Sequence, residues 1–337
     1  MKLYLFLFLT LAFAFTSCDN ELNVIEERQD IPIVYGLLSP TDSVQYIRVE
    51  KAFVDPTISA LTLAQIADSL YYDNETTRVE IRDEANDINH LLNRVDGNLE
   101  GLVRDEGAFA QSPNYLYRVS TDEIDFQEGN AYSLRIERGN NLPTITATTN
   151  LVGESLLFSP NPMVGTTRID FDQERPTTFS WGPGSNAIVY DLILDVFYTE
   201  KEFGGSFEDR SFRWVLAQNL NDTEFIQEGR EFYAEMVSNI PENENVEERK
   251  FTGFDVIVRS GNITLQEFVR VGQANLGITS TQDVPTFTNL EIEGSNLARG
   301  IFASRFTNRF ENKFPLSSGS LDSLINGSIT ADLKFVR

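Results

Sequence analysis

The side chains that most often carry chemistry are scarce in this chain of 337 residues, which has one histidine, His90, and one cysteine, Cys18. A lone histidine excludes a multi-histidine metal centre, and any nucleophile–histidine relay would have to run through His90. Its neighbours include Asp87 and Asn89, and no Gly-x-Ser-x-Gly turn supplies a matching serine. His90 therefore reads as a residue of a surface strand or loop. With 51 acidic residues, chance carboxylate pairs are common, and no motif singles one out for glycoside hydrolysis. The clusters Asp122-Glu123-Asp125-Glu128 and Asp170-Asp172-Glu174 offer the oxygen ligands that calcium takes. Neither has the Asp-x-Asp-x-Asp-Gly loop with a distal Glu, so both read as solvated strand ends. No glycine-rich phosphate loop is present. The expectation is a protein without enzymatic activity, metal or cofactor.

Cys18 calls for a different chemistry. Lys2 is a basic start, Leu3 to Phe15 is apolar apart from Thr10, and Phe15-Thr16-Ser17-Cys18 follows. The apolar run is shorter than the roughly 20 residues of a membrane-spanning helix and has the flanks of a secretory signal. The tetrapeptide resembles a bacterial lipobox, with Phe15 in place of the usual leucine-like residue. A peptidase would cut before Cys18, whose thiol would then carry a diacylglycerol. Several acyl chains anchor stably where one does not. Lipidation leaves a thioether and no nucleophile. Asp19 and Glu21, followed by Glu26, Glu27 and Asp30, resemble the surface-export signal of Bacteroidota lipoproteins. An Asp beside the lipidated cysteine also marks inner-membrane retention in enterobacteria, and a plain acidic tether fits either location. The preferred expectation is an outer-membrane lipoprotein facing the cell exterior.

Beyond the signal (1–17) and the tether (18–30), enough chain remains for two domains of ordinary size. The apolar fraction is 41%, with 25 Phe, which supports packed cores. The net charge of −24 argues against nucleic acid and against lying flat on anionic lipid. Alternation predicts strands at 33–38, 44–53, 78–82, 115–120, 131–136 and 144–149, with a short helix over 59–72. Phe158-Ser159-Pro160-Asn161-Pro162 marks a linker at 153–163. Beyond it, FSWGPG before Ala187 to Tyr198 resembles the second and third strands of a fibronectin type III domain. Further strands are predicted near 212–219, 254–259, 300–306 and 329–335, and helices near 230–240, 264–274 and 320–325. The fold class expected is mainly β: two β-sandwich domains of immunoglobulin or fibronectin III type, 31–152 and 164–337. Short helical insertions are assigned to the second domain.

Aromatics are the remaining candidates for recognition. Trp181, Trp214 and Tyr71-Tyr72 are residue types that stack on sugars, although Trp181 is better placed in a sandwich core. Trp214 shares a strand face with Phe212, so core or subunit contact is the better reading. Phe203 and Phe207, set among glycines in EFGGSFED, suit an exposed protein contact. Ser43, Ser69 and Ser323 each sit in an Asp-Ser-apolar triplet resembling the O-glycosylation motif of Bacteroidota exported proteins.

Four stretches carry a wider resemblance: the lipobox with its acidic followers, IVYGLLSPTDSVQYIRVEKAF, FSWGPGSNAIVYDL, and NLEIEGSNLARGIFASRF with Asn289, Gly294, Gly300, Ile301 and Phe302. Together they resemble uncharacterised Bacteroidota surface lipoproteins that carry a domain of unknown function beside TonB-dependent transporters. The resemblance implies a β-rich, outer-membrane, non-enzymatic protein. The function expected is an accessory subunit of an integral outer-membrane β-barrel complex: a TonB-dependent transporter, the barrel-assembly machine, or the secretion and gliding apparatus. The alternative is a glycan-binding lipoprotein that feeds a polysaccharide transporter.

Overall fold

The computed structural model describes residues 31–52, 58–139, 141–274, 287–294 and 297–337. The segments expected to be a signal and a tether, and with them Cys18, Asp19 and Glu21, lie outside the described residues. The chain is mainly β. Its first half supplies β1 (Ile31–Leu38), β2 (Val44–Ala52), β3 (Arg78–Asp83), β4 (Ile88–Leu91), β5 (Asn93–Asp96), β6 (Tyr115–Ser120), β7 (Ala131–Glu137) and β8 (Ile145–Asn150). The second half supplies β9 (Leu156–Ser159), β10 (Pro176–Gly182), β11 (Val189–Glu202), β12 (Phe207–Leu220), β13 (Glu224–Glu228), β14 (Val246–Gly261), β15 (Glu291–Ile292), β16 (Arg299–Phe314) and β17 (Phe335–Val336).

The largest sheet runs β12-β11-β14-β16-β1-β2-β6-β5, with β17 beside β14. A sheet of five strands, β15-β8-β7-β3-β4, covers one end of it, and a sheet of three, β13-β10-β9, covers the other. Alternation decides which side chains meet. Val34, Ile47, Val49 and Tyr117 of the large sheet pack on Val79, Ile81, Leu134, Ile136 and Ile145 of the five-stranded one. At the other end Leu192, Leu194, Val196, Val256 and Val258 pack on Leu157, Phe179 and Trp181. There Phe171 stacks on Phe232 with centroids 4.7 Å apart. Each such fully buried side chain contributes about 1.5–3 kcal/mol.

One strand belongs to both ends. β16 pairs in parallel with β1 through Ile33–Arg299 to Leu38–Ser304, then antiparallel with β14 from Gly261–Arg305 to Phe254–Phe314. Its buried polar side chains hold the crossover between the two layered ends: Val152 N donates to Ser304 Oγ at 2.9 Å, and Ser155 N to Asn308 Oδ1 at 2.8 Å. Asn289 ties β16 to β8, donating to the carbonyls of Phe302 (2.8 Å) and Thr148 (3.1 Å) and accepting from Phe302 N (2.9 Å). The division at 153–163 is therefore corrected. Leu290, Ala298 and Phe302 complete the core of the first half, because β16 is long enough to serve both cores in turn.

The helices also depart from expectation. The 59–72 segment splits into Ala60–Ala64 and Ala67–Leu70, with Ser59 capping the first. These helices, with Thr121–Ile124, lie in the first half, so helical insertions are not confined to the second. The helices Gly229–Asn239, Ile263–Ala274 and Ser318–Asn326 fall where the apolar stripes put them.

Asp195 of β11 and Asp255 of β14 are cross-strand partners, a like-charge pair on the face away from the second core. Arg309 of β16 resolves it, donating from Nη1 to Asp195 at 2.6 Å and from Nη2 to Asp255 at 3.0 Å. Arg213 of β12 adds a bidentate pair to Asp195 at 2.8 and 3.0 Å. Burial alone would raise the Asp195 pKa, but Arg213 and Arg309 outweigh it and hold the carboxyl below its ordinary range.

Two outcomes follow from this joint. Gly300 has φ +97°, and a Cβ there would lie 1.9 Å from the Val34 carbonyl oxygen. Gly300→Ala should therefore cost about 3 kcal/mol or more, measured as a shift in the urea unfolding midpoint. Arg309→Leu should cost about 3 kcal/mol at pH 7, because it leaves the buried Asp255 carboxylate without its cation opposite Asp195, which keeps only Arg213. In the parent chain the Asp195 contribution is present above about pH 4 and lost as the pH falls through its depressed folded value. The Arg309→Leu deficit should therefore shrink on acidification toward pH 3, which urea titrations at stepped pH would measure.

Candidate functional site

A groove of about 940 Å³ lies on the face of β1, β2 and β16 that points away from the first core. Strand alternation supplies its floor. Val34, Ile47 and Phe302 turn inward to the core, so their neighbours Tyr35, Leu37, Tyr46, Arg48 and Ile301 turn outward. One wall is the helix Ile263–Ala274, which presents Leu265, Phe268 and Val269. The other is the loop after β5, which brings Leu102 and Val103. Tyr35 is 44% exposed and Val103 72%, and Phe268 meets the Tyr35 ring edge-on at 6.3 Å.

The helix wall is fixed at its start. Asn262, buried, accepts from Leu265 N at 3.1 Å as the cap and donates to Thr149 Oγ1 at 2.7 Å and the Asn150 carbonyl at 3.1 Å. Its own N–H bonds the Ser304 carbonyl of β16. The groove wall is thereby locked to the strand that joins both ends of the molecule.

Cations mark the groove's polar margin. Arg48 Nη1 donates to Glu50 Oε1 and to Asn114 Oδ1, both at 2.9 Å, and burial lowers its pKa. Arg104 shares the same Glu50 oxygen; burial and the neighbouring Arg48 push its guanidinium down to about 10. At the other end Arg305 Nη2 donates to Asp42 at 2.8 Å, while its buried Nε has no partner. In a chain of net charge −24, this apolar groove has arginines at its margin, paired to Glu50 and Asp42, and suits an apolar segment bearing a carboxylate or another anion.

The residues singled out from the sequence are not brought together. Trp214 is 7% exposed and lies among Phe171 and Phe232, which corrects its assignment to a partner contact. The covering layer of β9, β10 and β13 takes the face that Phe212 and Trp214 share. Phe203 and Phe207 are exposed, 69% and 41%, around the β11–β12 turn, with Lys250 Nζ 4.9 Å from the Phe207 ring. The Tyr71-Tyr72 pair is buried. Arg94 covers Tyr71 at 5.5 Å and Tyr115 at 3.8 Å, while Arg138 lies 5.3 Å from Tyr72, so these ring faces are already occupied by cations. Trp181 is buried against Tyr190. Ser43 is exposed on the groove rim, whereas Ser69 and Ser323 are half-buried within helices. His90 lies on β4 opposite Ile81. Asp170 accepts from Ser320 and Ser317, and Asp172 pairs with Arg175. The groove itself went unread, although β2 already showed one mixed face and the 264–274 helix an apolar stripe.

No protein-family model matches the chain, and no curated protein matches it. Among solved structures, the C-terminal globular domain of an oligosaccharyltransferase from Pyrococcus abyssi aligns with 66% of this chain and 44% of its own, at 9% identity and TM-score 0.22. The FN1–FN3 domains of chicken CNTN1 align with 69% of this chain and 61% of theirs, at 13% identity and TM-score 0.17. The chain thus spans less than two thirds of either structure, and both likenesses are too slight to define a shared fold.

The groove predicts a binding behaviour. The apolar anion anilinonaphthalene sulfonate should bind with enhanced fluorescence. Val103→Glu or Leu102→Glu should cut the enhancement several-fold, with unfolding stability within about 0.5 kcal/mol of the parent. Unchanged fluorescence in both variants would remove the groove as an apolar binding site.

Proposed function

We propose that the chain is a non-enzymatic lipoprotein, anchored through Cys18 in the outer membrane and facing the cell exterior. Its role in this reading is that of an accessory subunit docked on an integral outer-membrane β-barrel complex. The domain reading that accompanies it is two β-sandwiches sharing β16. In that reading the second is of fibronectin type III kind, and the layering of β9-β10-β13 against β12-β11-β14-β16 supports it.

The observation that carries the reading is the groove: exposed Tyr35, Leu102 and Val103 beside arginines, on a floor locked by strand pairing on both sides. Rigid sites of this kind suit docking of a protein segment. The Asp19 and Glu21 export signal and the acidic surface agree with an exterior location. The glycan-binding alternative needs exposed sugar platforms, and the tryptophans and the Tyr71-Tyr72 pair are buried. Nucleic acid is disfavoured by charge.

Purification from the native membrane in mild detergent, followed by mass spectrometry, tests the reading. A stoichiometric barrel protein should accompany the parent chain and be depleted several-fold with Val103→Glu. Labelled palmitate should enter the parent and not the Cys18→Ser variant. Recovery of the parent lipoprotein alone would sink the accessory-subunit reading.

A further inference from the structure

The outer strand of the large sheet, β12, carries a second and independent signal. Among the described residues it pairs with β11 alone, and it is 14 residues long. Long edges are ordinarily blunted by charged side chains, lysine above all, by proline or by a bulge. β12 contains no proline, glycine or lysine. Its register with β11 is unbroken from Lys201–Phe207 to Ile193–Val215, and the irregularities lie only beyond Val215.

That regular stretch of nine residues, FEDRSFRWV, is self-complementary about Ser211. Turned antiparallel on itself, it sets Phe207 opposite Val215, Glu208 opposite Trp214, Asp209 opposite Arg213, Arg210 opposite Phe212, and Ser211 opposite Ser211. Phe207, Asp209, Ser211, Arg213 and Val215 share one face, since Arg213 reaches Asp195 on the side away from the buried Trp214. On that face the pairing yields two apolar pairs and two opposite-charge pairs around a central serine. Phe207 and Val215, 41% and 44% exposed, would cover one another. Asp209 would extend the Arg213–Asp195 pair across the joint. The stretch has two acidic and two basic residues, so it is locally neutral in a strongly acidic chain.

We propose that two copies of this chain associate through β12, edge to edge and antiparallel, about a two-fold axis at Ser211. The self-complementarity fits the isologous contact that such symmetry requires. The paired stretch is about 30 Å long, a small interface that associates at concentrations of about 10–100 µM. This inference does not rest on the lipid anchor or on the groove.

Cysteine placement tests it directly. In a Cys18→Ser background the chain's sole thiol can be put at position 211, where paired Cβ atoms would be about 5 Å apart. Mild oxidation of Ser211→Cys should give a covalent dimer far faster than Ser43→Cys, an exposed control elsewhere. Asp209→Cys, which faces Arg213 of the partner copy, should stay at the control rate. Sedimentation should show a reversible dimer for the Cys18→Ser chain, and Asp209→Arg should weaken it about tenfold by opposing two arginine pairs. A monomer at every concentration overturns the proposal. So does a dimer in which Ser211→Cys crosslinks no faster than Ser43→Cys, or one that Asp209→Arg leaves unchanged.

Discussion

The constraint on which the structure depends is the double use of β16. Its first six paired residues lie parallel to β1, and its next stretch runs antiparallel to β14. A strand that changes partners midway must satisfy both neighbours with one backbone path. The polar side chains at the change, Ser304 and Asn308, are buried, and both are spent on backbone amides of the crossover at 152–155. Buried polar groups left unpaired would cost about 1–3 kcal/mol each. Here they fix where the covering layer passes from one core to the other. Gly300 belongs to the same logic: its bare Cα lets β1 approach to a distance no side chain tolerates.

The same strand accounts for the groove. Turning Phe302 into the first core turns Ile301 outward to the groove floor. Asn262 at the end of β14 bonds the Ser304 carbonyl and starts the helix whose Leu265, Phe268 and Val269 form a wall. Neither the apolar floor nor Arg48 and Arg305 need ligand-driven rearrangement, because each is a by-product of core alternation one residue away. A site supported this way is preformed, and a partner would meet little ordering cost on this side.

Much of the local structure was legible in the sequence, and the reason is periodicity. β2, β7 and β8 alternate cleanly, and the helices at 229–239 and 263–274 carry apolar stripes. Long-range pairing was not legible. Nothing near Val34 announces that it lies beside Gly300, and without that pairing the chain divides naturally at its proline-rich stretch. Trp214 was left between core and partner contact for a related reason. Alternation shows that Phe212 and Trp214 share a face, yet which layer covers that face depends on β9, β10, β13 and Phe232. Phe203 and Phe207 were readable as exposed because flanking glycines and charges leave nothing to bury them. The groove combines residues some 265 positions apart, so its parts were visible singly and its assembly was not.

β1 is held on both sides from Ile33 to Gly36, parallel to β16 and antiparallel to β2, and on one side beyond. Tension applied at the chain's N-terminus would run along β1 and load both hydrogen-bond ladders in shear, so that many bonds resist together. A hairpin pulled at its open end instead gives way one bond at a time. The first described strand is thus the mechanically strong one, and a pull on it would be carried through β16 into both cores before any strand could slide.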